Sequence, residues 1–189
     1  MLKVINQEIL SHIESFKLLN REISNINALA NKAIQSIERG GKIILFGNGG
    51  SAADAQHIAA ELVGRYKESR KGLPAISLAT DSSALTSIGN DFGYESVFQR
   101  QLEALVQKED LVIGISTSGN SKNVINALKF ARSLEITTCG FSGDTGGLMN
   151  NYCDINIIAP SDETPRIQEM HIFIGHTICQ LIDSHFSNY

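Results

Sequence analysis

Lys42-Ile43-Ile44-Leu45-Phe46-Gly47-Asn48-Gly49-Gly50-Ser51-Ala52-Ala53-Asp54-Ala55-Gln56-His57-Ile58-Ala59-Ala60-Glu61-Leu62-Val63-Gly64-Arg65 is the stretch on which the fold turns. Its first five residues are short and almost continuously apolar rather than alternating, which predicts a strand covered on both faces. A small polar turn follows, and then a segment, 51–65, with apolar residues at helical spacing. Strand, polar turn and helix in this order make one βα unit.

The same unit recurs downstream. Apolar runs at 75–78, 111–115, 136–141 and 155–159 alternate with helical patterns at 82–89, 95–106, 121–134 and 165–185, and a Gly-rich turn follows the run at 136–141. Such repetition predicts an α/β fold, with a central parallel five-stranded sheet and helices on both faces. Upstream, 6–19 places Ile9, Ile13, Phe16 and Leu19 at helical spacing. Segment 25–39 does the same with Ile26, Leu29, Ala30, Ala33 and Ile37, and Gly40-Gly41 stops it. These are two extra N-terminal helices. We expect one domain over 1–189, a helical pair at 1–39 joined to an α/β core at 40–189. No repeat, low-complexity tract or linker interrupts it, and 66–74 reads as a charged surface loop.

The 189 residues are 42% hydrophobic and 19% charged, a globular composition. Net charge is −4 and no block of Lys or Arg stands out, which argues against nucleic acid as a partner. The N-terminus meets polar residues before a signal-peptide core could form, and no apolar run approaches membrane-spanning length. Cys139, Cys153 and Cys179 are odd in number and lie in apolar stretches, which suits reduced core thiols. A cytoplasmic protein, neither exported nor inserted in a membrane, is the expectation.

Ligands of open α/β sheets bind beyond the carboxyl ends of the strands. Two strand exits there are small, polar and glycine-containing. Ser116-Thr117-Ser118-Gly119-Asn120-Ser121 leads hydroxyls and a flexible backbone into a helix N-terminus, which favours an anion such as a phosphate monoester; a plain cap and turn is the competing reading. Gly47-Asn48-Gly49-Gly50-Ser51 is neither a P-loop nor a dinucleotide fingerprint, and by itself reads as a tight turn with Ser51 as N-cap. His57 and Glu61 stand four apart on the helix this turn opens, so they share a face and could share a metal or a proton. Alone the pair would be incidental; its apolar neighbours, among them Ile58, Leu62 and Val63, suggest burial, where ionisable groups need partners. On the last helix Gln168 and His176 lie eight residues apart, close enough in direction to converge on one centre if that helix crosses its neighbour obliquely. A hydrogen-bonded core histidine is the plainer reading of His176, and a structural or interface role that of His171. Asn90-Asp91-Phe92-Gly93 ends an amphipathic segment as a helix C-cap and turn.

Together these segments resemble the bacterial phosphoheptose isomerases, sugar isomerase (SIS) domain proteins. The likeness runs from the Lys42 strand to the last helix. It is carried by Gly47-Asn48-Gly49-Gly50-Ser51, His57-Ile58-Ala59-Ala60-Glu61-Leu62, Gly64-Arg65-Tyr66, Gly89-Asn90-Asp91, Gly114-Ile115-Ser116-Thr117-Ser118-Gly119-Asn120-Ser121 and Arg166-Ile167-Gln168-Glu169-Met170-His171.

The resemblance implies interconversion of sedoheptulose 7-phosphate and D-glycero-D-manno-heptose 7-phosphate through an enediol, the first step of nucleotide-activated heptose biosynthesis. It places His57, Glu61, Gln168 and His176 at the ligands of one Zn2+ per subunit. It makes Asn48, Gly49, Gly50, Ser51, Glu61, Arg65, Asn90, Asp91 and Gln168 substrate contacts, and gives Ser116, Thr117, Ser118 and Ser121 to the phosphate. Glu61 becomes the general base at carbon and His176 its acid–base partner. A homotetramer with sites near subunit boundaries is implied as well. Pro165 departs from the pattern, since some relatives carry an acid there; proline itself suits a first helical turn. The rivals are a non-catalytic SIS-domain scaffold, such as a replication-initiator-associating protein, and an isomerase of another sugar phosphate. The scaffold lacks the catalytic pair that Glu61 and His176 form here.

Overall fold

In a computed structural model describing residues 1–187, five parallel strands form one sheet in the order β2-β1-β3-β4-β5. The strands are β1 (Ile43–Gly47), β2 (Ala75–Ser77), β3 (Leu111–Ile115), β4 (Thr137–Gly143) and β5 (Ile155–Ala159). Every residue of β1 and of β3 is buried. Alternation along these strands divides the core in two. Ile43 and Leu45 of β1, with Leu111, Ile113 and Ile115 of β3, point into one cluster; Ile44, Phe46 and Val112 point into the other. A strand with period-2 side chains and helices on both sides has no polar face to show, and this is why its sequence is unbroken apolar.

The first cluster is covered by α2 (Ile23–Glu38), α3 (Gly50–Val63) and α7 (Thr164–Phe186), the second by α5 (Val97–Leu105) and α6 (Lys122–Ser133). Helix α4 (Ser82–Phe92) is capped by Asp81, whose side chain accepts from the Ala84 amide at 2.9 Å. The sequence pattern 95–106 is split, with a short 3-10 turn at Tyr94–Ser96 before α5. The three cysteines are buried free thiols. Among the described residues no helix is long and apolar enough to cross a membrane.

Helix α1 (Leu2–Leu18) differs from its sequence reading. Of the periodic residues Ile9, Ile13, Phe16 and Leu19, only Leu19, just past the helix, is buried; Ile9 is 52% exposed and Ile13 43%. The apolar periodicity is real, but within one chain most of that face meets solvent.

The strand order reverses between β1 and β3, its two neighbours in the sheet being reached by connections that leave in opposite directions. This is the switch point at which α/β sheets open a crevice. The two polar loops read from the sequence are the exits of these two strands.

Candidate active site

The loop after β1 turns on Gly49, whose φ of +56° a side chain would strain. Helix α3 begins at Gly50, so Gly49 and not Ser51 is the N-cap; Ser51 lies in the first turn and is buried. Across the crevice, Asn48 pairs with the buried Asn123 of α6. Each side-chain amide donates to the other's oxygen, at 2.9 and 2.8 Å, and Tyr94 Oη donates to Asn48 Oδ1 at 3.3 Å. The two strand exits are thus tied together, and the serine loop sits beside the glycine loop.

Ser116 is buried and its hydroxyl lies 2.9 Å from that of Ser121, the N-cap of α6. Ser118 Oγ accepts from the Asn120 amide at 3.2 Å. At Gly119, with φ of +64°, a Cβ would run into the Gly146 carbonyl, so the chain must be glycine where the loop meets the turn after β4. Clustered hydroxyls at a helix N-terminus, beside the positive end of its dipole, are an arrangement that can hold an anion such as a phosphate.

Further along α3, His57 and Glu61 share a face as their spacing requires, with Nε2 and Oε1 3.1 Å apart. Helix α7 runs alongside, and His176 brings its Nε2 to 3.2 Å from that of His57. His57, Glu61 and His176 can hold a metal ion, since one ligand atom from each falls within 4.8 Å of the others. The donor set fits a cation: two imidazole nitrogens face each other, and either a shared proton or a positive ion must lie between their lone pairs. Zn–N bonds of about 2.0–2.1 Å at tetrahedral angles place two ligand nitrogens about 3.3 Å apart, close to the spacing seen. Burial, then the nearby His57, lowers the pKa of His176, while Glu61 pulls it back up. The neutral ring is the ligand form.

Gln168 takes another position. Its amide packs against Gly50, where a Cβ would lie 2.5 Å from Nε2, while Gly175 of α7 packs against Ile58 of α3. The two helices therefore run alongside each other in the same sense. Gln168 stands beside the glycine loop, seven residues and about 10 Å of helix rise before His57. Asn90 and Asp91 lie in the last turn of α4, where Asn90 Nδ2 donates to Asp91 Oδ1 at 2.8 Å. Arg65 is exposed beyond the end of α3, and Thr117 borders the serine loop. Pro165 occupies the first turn of α7 and leaves the helix intact.

Four side chains escaped the sequence reading. Asp54 stands three before His57, and burial pushes its carboxyl up to about 6, against the pull of His57; its Oδ2 is buried without a partner. Its i,i+3 spacing to His57 was the available signal. Tyr66 stacks on His176 with ring centroids 5.5 Å apart, although its motif suggested no role. Asn123 and Tyr94 hold Asn48, and only the folding of α6 and of the turn before α5 against β1 brings them there.

A parallel α/β sheet with a hydroxyl-lined anion cradle and a histidine–carboxylate centre defines a class, and comparison with known proteins gives the same one. The SIS domain family model matches residues 8–143. A protein of Aliarcobacter butzleri named phosphoheptose isomerase is 57% identical over the whole of both chains. Phosphoheptose isomerase structures from Neisseria gonorrhoeae and Francisella tularensis superpose with TM-scores of 0.91 and 0.93, at 38% and 34% identity. In each case 97% of this chain and 98% of the other are covered. The chain belongs to the phosphoheptose isomerase family of SIS-domain proteins.

Proposed function

We propose that this protein is a zinc-dependent isomerase of sedoheptulose 7-phosphate, acting as one SIS domain over 1–189. The observation that carries the reading is the convergence of His57, Glu61 and His176 beside α7, in a chain 57% identical end to end to a named phosphoheptose isomerase. The phosphate is held by Ser51, Ser116, Thr117, Ser118 and Ser121 with the amides of the α6 N-terminus. Asn48, Gly49, Gly50 and Gln168 meet the sugar, Gln168 because its amide already lines the glycine loop. Arg65, Asn90 and Asp91 meet the substrate from a neighbouring copy, in a tetramer that also covers the apolar face of α1.

His57, Glu61 and His176 would hold the zinc, with Gln168, from the glycine-loop end of α7, as the fourth ligand. Bound zinc supplies Lewis-acid polarisation of the substrate carbonyl. Glu61 takes the proton from the carbon beside the carbonyl and returns it to the neighbouring carbon. His176 moves the second proton between the two oxygens; burial, then the nearby His57, lowers its pKa and keeps the imidazole neutral and able to accept it. A cytoplasmic location accompanies this reading.

The test is incubation of metal-free and zinc-loaded protein with sedoheptulose 7-phosphate, monitoring aldose formation. Zinc-loaded wild type is expected to turn over and the metal-free protein to be inactive. Glu61→Gln and His176→Ala should each cost about 10²–10⁴-fold in kcat. A folded, zinc-loaded wild type that leaves the substrate unchanged defeats the proposal.

A further inference from the structure

The segment joining α3 to β2 is pinned by a buried ion pair. The side chains of Arg70 and Asp183 are 2% and 0% exposed, and Arg70 Nε donates to Asp183 Oδ1 at 2.5 Å. The other carboxylate oxygen accepts from the amides of Lys67 at 2.7 Å and Glu68 at 3.0 Å. Burial pushes this carboxyl up, but the two amides and Arg70 together hold it below the usual range, so it stays ionised.

The far edge of the guanidinium reaches the end of α3. Nη2 donates to the Glu61 carbonyl at 3.0 Å and Nη1 to the Leu62 carbonyl at 2.9 Å. These carbonyls belong to the last helical turn, where no intrahelical amide is left to meet them. A cation there also opposes the negative end of the helix dipole. The segment Arg70 anchors carries Tyr66, whose ring lies on His176 at an interplanar angle of 29°. One buried guanidinium therefore touches the backbone of one member of the triad and fixes the segment whose ring covers another.

Stability alone does not account for the pair, because an apolar pair of similar volume often serves a core as well or better. The planar fork is what apolar residues cannot supply. It joins the end of α3, the 66–70 segment and α7 at one point, with directed bonds to each. Resting on the isomerase reading of the triad, we infer that Arg70, oriented by Asp183, is a positioning residue for the isomerisation. It sets Glu61 on α3 and, through the segment it anchors, sets Tyr66 against His176.

Arg70→Lys tests this, since lysine can still pair with Asp183 but cannot span both carbonyls. In folded R70K, kcat for sedoheptulose 7-phosphate should fall about 10–100-fold, as small misplacements of reacting groups do. KM should stay within about threefold, because the phosphate cradle is untouched. Cobalt(II) used in place of zinc should bind roughly tenfold more weakly, with an altered d–d spectrum. Wild-type kcat and a wild-type cobalt spectrum in folded R70K overturn the inference. Tyr66→Leu leaves the buried pair alone and decides the matter if R70K does not fold: lowered kcat with an unshifted melting temperature supports the inference, and unchanged kcat overturns it. A wild type that binds cobalt but does not isomerise the substrate sinks the isomerase reading instead. The cobalt comparison of wild type and R70K then still decides whether Arg70 positions the triad.

Discussion

His171 lies five residues before His176 on the same helix, and the two differ through what surrounds them. His176 sits at the rim beside His57. His171 is fully buried, with its Nε2–H donating to the Ser142 carbonyl at 2.9 Å and its Nδ1 buried without a partner. Burial pushes its pKa down to about 4, against the pull of that hydrogen bond. The folded chain therefore binds this proton less tightly than the unfolded chain, whose histidine titrates near 6.5. The contribution to stability is complete above about 6.5 and is lost as pH falls toward about 4, for a total of roughly 3 kcal/mol. Asp54 acts oppositely: its raised folded pKa favours the fold below the unfolded value and ceases to do so as pH rises through about 6. The comparison to make is thus between wild type and His171→Gln, by urea unfolding at pH 7 and pH 4.5. The variant should lose less stability than wild type on acidification, and equal losses would show that His171 is not the group responsible. At this scale the sequence exposes pairs on one helix, such as His57 with Glu61, because helical spacing is a local property. It does not expose Asn123 with Asn48, or Tyr66 with His176, which depend on how separate elements meet.

Helices α3 and α7 meet closely enough to place His57 against His176 because position 175 is glycine. A Cβ there would lie 2.5 and 2.6 Å from Cδ1 and Cγ1 of the buried Ile58. Gly175→Ala sets two effects against each other. Alanine gains about 1 kcal/mol of helix propensity. Overpacking a filled core costs about 1–3 kcal/mol. The clash is expected to prevail, giving a melting temperature lower by several degrees and, with the helices forced apart, a lower kcat; a raised melting temperature would show that Ile58 moves aside freely. The elements themselves were legible: β1, β3 and β5 fall where the apolar runs lie. The boundaries shift where a local signal misleads. Ser51 is a good cap residue, yet the helix starts earlier because Gly49 can adopt a positive φ that Ser51 could not take without strain.

For the whole molecule, the exposed apolar side of α1 continues into a groove of about 490 Å³ between α1, α2 and α7, lined by Phe16, Leu19, Ile23, Ile26, Phe173 and Leu181. Ile23 is 61% and Phe173 46% exposed. An apolar groove of this size, beside a helix with no buried residue, suits the tetramer proposed above. Sedimentation should give a mass near four chains. Ile23→Glu with Phe173→Glu should dissociate the assembly and reduce activity, because Arg65, Asn90 and Asp91 of a neighbouring copy would leave the site. A fully active monomer would refute the assembly and the shared site together.

By itself the sequence determined the α/β class, the five strands, the two leading helices, the polar strand exits and the one-face pairing of His57 with Glu61. Each follows from the period of hydrophobic residues or from glycine and hydroxyl chemistry within a few positions of chain. Tertiary structure alone decided that His176 closes on this pair while Gln168 lies beside the glycine loop. Eight residues of helix separate those two side chains by about 12 Å along the axis, and only the direction in which α7 runs past α3 determines which of them reaches His57.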